Sequence, residues 1–256
     1  MLDGIGAPAA FAIVQKNGDG LRARFAARRD NVADMARFRE RAAAITDVEG
    51  LLKDRRTLQV VLEAFQLEGE IGKRGLLRKI LTEPLAQENA LANRFADPRW
   101  KQLAQAVGNG QVPPLAAGSR LQKLVDLAMT NRFEKAMGDS NPGMREALYF
   151  SRVGAQATTL AQLMSDPALT SVARGAIGMP DTFAALGYDQ QKAILGKRLD
   201  MSVMADAATR QKMAGRYLAL TAATTIATSS VSALFDGSGS AAGIAALAAS
   251  RLSFSA

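Results

Sequence analysis

The sequence predicts an all-α protein: two sequence-related helical units packed as a bundle, followed by an Ala/Ser-rich C-terminal tail. Three observations predict it. Alanine is roughly one residue in five, and Leu, Gln, Arg and Met add further strong helix formers throughout the 256 residues. Runs of alternating Val, Ile, Thr and Tyr that would mark strands are missing. Helix-start and helix-stop signals are frequent, and the same series of them occurs twice.

Along the chain, residues 1–18 read as a flexible N-terminal segment, in which a short apolar stretch is interrupted by Pro8. Unit 1 covers 19–108. Its long helix gives way to Thr46-Asp47-Val48-Glu49, a capping-box pattern in which the Thr46 hydroxyl accepts from the Glu49 amide. Asp54 reads as the N-cap of the next helix, and Asp97-Pro98 places an acceptor before a proline suited to the first helical turn. Gly108-Asn109-Gly110 and Pro113-Pro114 predict a central loop. Unit 2 covers 115–220, breaks at Asn141-Pro142-Gly143, and is capped again at Asp166-Pro167. Residues 221–256 form the tail. There Gly237-Ser238-Gly239-Ser240 reads as a joint, and Ala241–Leu252 as a small-residue helix in need of a packing partner.

A shift of 112 positions brings the two units into register. Phe38 falls on Phe150, Thr46 on Thr158, Leu51 on Leu163, Asp54 on Asp166, Val60 on Val172 and Ala64 on Ala176. Further on the register drifts by a few residues: Ile80-Leu81 meets Ile194-Leu195, and Arg99-Trp100 with Leu103 meets Arg216-Tyr217 with Leu220. The shared apolar positions are expected in the core and the paired aspartates at helix starts. The pattern is compatible with two domains or with one intertwined bundle.

Composition excludes several chemistries. The chain has neither Cys nor His. It therefore has no disulfide, no thiolate nucleophile, no Cys- or His-ligated metal and no imidazole general base. Gly69-Glu70-Ile71-Gly72-Lys73-Arg74 differs from a phosphate loop in its spacing and in having Arg74 where the hydroxyl belongs, so it is expected to be a turn before a cationic helix start. Gly18-Asp19-Gly20 is too short for a calcium loop. Glu68, Glu70 and Glu146 read as solvated acids. No residue is nominated as catalytic, cofactor-binding or metal-ligating, and no cofactor is expected.

The net charge is +8. Its densest run is Arg22, Arg24, Arg28, Arg29, Arg37, Arg39 and Arg41, interleaved with Asp30, Asp34 and Glu40. Such mixed signs predict a solvated helix face. Nucleic-acid binding is not expected, because no aromatic cluster or motif accompanies the cations. Tyr217–Phe235 carries no charge, but its Thr and Ser residues make it too polar for a membrane span.

One family resemblance is carried by long strings. They include Phe38-Arg39-Glu40-Arg41, Asp47-Val48-Glu49-Gly50-Leu51-Leu52-Lys53-Asp54-Arg55-Arg56 and Ala92-Asn93-Arg94-Phe95-Ala96-Asp97-Pro98-Arg99-Trp100. In the second unit they include Leu148-Tyr149-Phe150-Ser151-Arg152 and Leu163-Met164-Ser165-Asp166-Pro167. Over about residues 30–220 the chain resembles an alphaproteobacterial domain family of unknown function found in flagellar gene clusters and often named flagellar protein. It departs from the family at Gln66, where a Gly is usual before the Leu. The resemblance implies a flagellar context and supplies no catalytic residues to carry over.

The functional expectation is a non-enzymatic helical protein in bacterial flagellum assembly or structure, cytoplasmic or exported through the flagellar apparatus. Its partners would be other flagellar proteins, met through the N-terminal segment and the tail, with self-association through the tail. The alternative is a cytoplasmic interaction module, such as an export chaperone or motility regulator, and a nucleic-acid-binding regulator drawing on the +8 charge ranks below it.

Overall fold

The computed structural model describes residues 2–107, 115 and 118–235, and for 118, 181 and 225–235 the backbone alone. Thirteen α-helices occur among these residues. The first half has α1 (Ala7–Ala26), α2 (Arg29–Ala43), α3 (Val48–Lys53), α4 (Arg55–Ala64), α5 (Arg74–Thr82), α6 (Leu91–Arg94) and α7 (Pro98–Val107). The second has α8 (Gly118–Ser140), α9 (Met144–Val153), α10 (Leu160–Ser165), α11 (Pro167–Ala176), α12 (Tyr188–Arg198) and α13 (Ala207–Phe235). No strand occurs among the described residues. No helix among them is long and apolar enough to cross a membrane.

The internal repeat is legible in the helix boundaries. Shifted by 112 residues, the limits of α3 and α4 become those of α10 and α11, and α5 starts where α12 does after a drift of two. Each unit closes its α4-type helix with a long one: α8 packs along α4, and α13 along α11 and α9. One contiguous hydrophobic core runs through both units, with Phe38, Leu51, Leu62, Leu103, Phe133, Phe150, Leu163 and Leu218 among its members. The two units therefore share their buried faces. The C-terminal end of the sequence alignment fails in burial: Leu103 is buried, whereas Leu220 is exposed. Trp100 belongs to a separate ten-residue helix, while Tyr217 lies in the middle of α13.

Three expectations need correction. First, most of the segment 1–18 is not a flexible lead. Residues 7–18 belong to α1, which buries Ala10, Phe11 and Val14 against the bundle and bends at Asn17. Pro8 does not interrupt the helix because it lies in the first turn, where a backbone N–H has no intrahelical acceptor to lose.

Second, the cap before α3 is Asp47 and not Thr46. Asp47 Oδ1 accepts from the Gly50 amide at 2.6 Å, and Glu49 points away to pair with Arg78. The equivalent cap in unit 2 is Thr159, which forms a full capping box with Gln162. Asp47→Ala should accordingly lower the unfolding free energy by about 1 kcal/mol. Thr46→Ala should stay within about 0.5 kcal/mol of the parent. Urea melts of the two variants check this, and equal losses would return the cap to Thr46.

Third, the boundary between unit 2 and the tail falls inside a helix. No Gly or Pro lies between Arg216 and Asp236, and α13 runs unbroken through Thr221 to Phe235. The central loop residues 108–110, 113 and 114, the Gly237–Ser240 joint and the Ala241–Leu252 helix lie outside the described residues.

The remaining local expectations describe the chain well. Asp54 caps α4 through the Thr57 amide, and Asp166 caps α11 through the amides of Ala168 and Leu169. Gly143 adopts φ +80° in the turn between α8 and α9, a left-handed conformation that glycine takes at little cost. Gly69–Arg74 forms a short 3-10 turn and the start of α5, with Lys73 paired to Glu70.

Candidate functional site: the polar seam between the units

Helix α4 ends in a turn whose geometry is set by one residue. Gln66 has φ +55°, the one positive φ outside glycine among the described residues. Its counterpart, 112 residues on, is Gly178 at φ +70°. Both turns close with the six-to-one hydrogen bond of a Schellman motif: Leu67 N–H donates to the Leu62 carbonyl at 2.9 Å, and Met179 N–H to that of Arg174 at 3.1 Å. A side chain in this conformation costs about 1 kcal/mol.

Hydrogen bonds to buried partners offset that cost. Gln66 Nε2 donates to Asn131 Oδ1 and to Glu134 Oε2, each at 3.1 Å. A glycine, as at Gly178, could form the turn but not these bonds.

Glu134 is 3% exposed. Arg152 from α9 grips it with Nε at 2.7 Å and Nη2 at 3.0 Å, and the same Nη2 donates to Asn131 Oδ1. Asn131 donates in turn to the carbonyl of Glu63 at the end of α4. The Arg152 guanidinium also lies over the Tyr149 ring, 5.5 Å from its centre.

The seam continues through Tyr149, whose hydroxyl donates to Asp166 Oδ2 at 2.8 Å while Oδ1 caps α11. Arg99 arrives from the start of α7. It chelates Asp97, donates to the Gln66 carbonyl at 3.3 Å, and sets Nε 3.8 Å from Asp166. A chain of polar contacts thus runs Asp97–Arg99–Asp166–Tyr149–Arg152–Glu134–Gln66, and its members come from both units.

Electrostatics keeps Tyr149 protonated and Arg99 and Arg152 charged. Burial raises the Tyr149 phenol well above its usual range, and the Asp166 charge raises it further. For Arg99, burial works against the charge, but the hydrogen bond to Asp97 and the charges of Asp166 and Asp97 outweigh it. Arg152 shows the same balance against Glu134. A phenol held protonated and guanidiniums held charged exchange no proton near neutral pH. The arrangement links the two helical units through side chains of both.

Two cavities border the seam. One of about 320 Å³ is lined by Tyr149, Asp166, Arg145 and Glu146. The other, of about 590 Å³, lies under the bend of α1 beside Glu134 and Arg152. Among the described residues no three carboxylates gather as a metal site.

Sequence reading nominated no site residue, and it took the two aspartates as caps. It did not find the second role of Asp166 or the roles of Gln66, Glu134 and Arg152. The available signal was divergence between the units: the shift that pairs Phe38 with Phe150 also sets Arg37 against Tyr149 and Glu40 against Arg152. Of the other acids, Glu68 pairs with Arg145 at 2.8 Å.

Comparison with curated proteins gives no match. Among solved structures, the chain is similar to the crystal structure of protein AGR_C_984 from Agrobacterium tumefaciens. The two are 23% identical with a TM-score of 0.72, over 83% of this chain and 91% of that one, a likeness of fold. A family model described as "Protein of unknown function (DUF1217)" matches residues 64–209, a stretch that contains every seam residue from Gln66 to Asp166, and the chain belongs to that family.

Proposed function

We propose that this protein serves bacterial flagellum assembly or structure as a non-enzymatic helical protein acting through contacts with other proteins. The observation that carries the contact role is the length of α13. Among its described side chains, which end at Thr224, the last fully buried one is Leu218, and the helix backbone continues to Phe235. The side chains from Ala219 to Thr224 are exposed or half-buried, and Leu220 is 40% exposed. Helices in water draw most of their stability from a packed face. The uncovered stretch from Ala219 to Thr224 is therefore suited to a partner. The flagellar context is supported by the resemblance of the strings around Asp47–Arg56 and Ala92–Trp100.

The test is where the protein goes. Mass spectrometry would quantify it in cytoplasm, medium and purified hook–basal bodies, from motile cells and from cells lacking a working export apparatus. Export-dependent appearance outside the cytoplasm, or enrichment in the purified structure, is the expected result. Retention in the cytoplasm of both strains would replace this role by that of a chaperone or regulator. Removing residues 225–256 should abolish incorporation and leave the cooperative thermal melt in place, because the described core of both units is built from residues that precede them. A truncated chain that is still incorporated would remove the extension from the contact role.

A further inference from the structure

The shift that relates the helices also relates two grooves. In unit 2 the cleft between α9 and α11 is lined by Glu146, Tyr149, Ala168 and Ser171. Their counterparts Asp34, Arg37, Arg56 and Gln59 line a groove of about 610 Å³ between α2 and α4. The unit 2 cleft already holds a visitor: Arg99 of unit 1 reaches in and lies against Asp166. The fold thus shows that this type of groove accepts a charged side chain from a separate segment.

In unit 1 the signs are changed, and the described lining comes from α2 and its C-cap, from α4 and from Arg132 of α8. Arg37 stands where unit 2 has Tyr149, and Arg56 where it has Ala168. Asp54, the counterpart of Asp166, is paired with Arg41 at 2.7 Å. Arg132 on the far wall is taken up by Asp34 and Glu63. Arg37 and Arg56 are exposed, and neither has an ion-pair partner among the described residues. Arg56 also sits in the first turn of α4, at the positive end of that ten-residue helix. Below them Phe38 and Val60 form a buried apolar floor.

We infer that the α2–α4 groove docks an acidic segment of a partner protein. Its carboxylates pair with Arg37 and Arg56, and an apolar side chain lies over Phe38 and Val60. Forked guanidiniums match carboxylates geometrically. The groove wall also carries Asp34 and Glu40, which would repel the continuous negative charge of a nucleic-acid backbone. A peptide can place its acids one at a time between them. The inference deepens the protein-contact reading given above and rests on it for the class of ligand. The two fail separately: a groove indifferent to acidic peptides leaves localisation unchanged, and cytoplasmic retention leaves peptide affinity unchanged.

The test uses the full chain and fluorescence anisotropy. The probes are a labelled twelve-residue peptide of Glu and Leu, the same peptide with Lys for Glu, and a twelve-base-pair DNA duplex. The Glu peptide should bind the parent protein, and R37E/R56E should weaken it by about tenfold or more. The Lys peptide should prefer the R37E/R56E variant. The charge-matched control R24E/R94E should retain affinity for the Glu peptide, and thermal melts establish that both variants fold. Absence of Glu-peptide binding to the parent overturns the inference. So does an equal loss in the control, which would make the effect one of net charge, and so does displacement of the peptide by the duplex.

Discussion

Arg152→Met is expected to lower the unfolding free energy by about 3–5 kcal/mol, the usual cost of leaving one member of a buried ion pair without the other. The side chain of Glu134 is 4% exposed and that of Arg152 is 31% exposed, so the loss of the arginine strands the more deeply buried charge. After the substitution the Glu134 carboxylate keeps the Gln66 amide as its donor. Removing both charges is a different experiment. Glu134→Leu with Arg152→Met should recover a large part of the loss, since a buried pair replaced by apolar groups of similar volume is often close to neutral. Urea titrations of the two single variants and the double variant measure both numbers. A single R152M variant within 1 kcal/mol of the parent would mean that the seam is solvated and not structural.

Gly175→Ala should cost about 1–3 kcal/mol, the typical cost of overpacking. A Cβ on Gly175 would lie 2.5 Å from Cδ2 and 3.1 Å from Cε2 of the Tyr217 ring. The ring has little room to retreat, because a Cβ at Gly143 would lie 3.1 Å from Cε1 and 3.2 Å from the hydroxyl oxygen on the other side. Tyr217→Ala alone should also destabilise, by cavity formation. The double variant G175A/Y217A should cost less than the sum of the two singles, because the clash disappears with the ring. Strict additivity in urea melts would place the cost of G175A elsewhere.

Position 175 also shows how the two units diverged. Its counterpart in unit 1 is Glu63, which binds Arg132 of α8 at 2.8 Å and offers its carbonyl to Asn131. One unit docks its long covering helix through an ion pair, and the other by omitting a side chain so that a tyrosine can fit. The same helical plan tolerates both, because each closes the gap above an α4-type helix.

Helix type, the paired boundaries of α3–α4 and α10–α11, and the capping aspartates 54 and 166 could be read from the chain, because each depends on residues within one or two turns. The periodic apolar positions likewise marked Phe38, Leu51, Phe150 and Leu163 as core. The cap at Asp47 was missed by one residue because Thr46 and Asp47 both carry suitable oxygens, and only the path of the backbone selects between them. The departure at Gln66 was visible as a letter but not as a purpose. Its purpose depends on Asn131 and Glu134, which are 65 and 68 residues away.

The candidate site divides in the same way. Cys-free and His-free chemistry, net charge and the internal duplication belong to the composition and order of the residues. The pairing of Glu134 with Arg152, the double duty of Asp166 and the meeting of Arg37 with Arg56 in one groove all arise from packing. Local hydrogen bonding and periodicity decide where helices form. Which charges become neighbours, and which stay without one, is decided only when distant helices share a core.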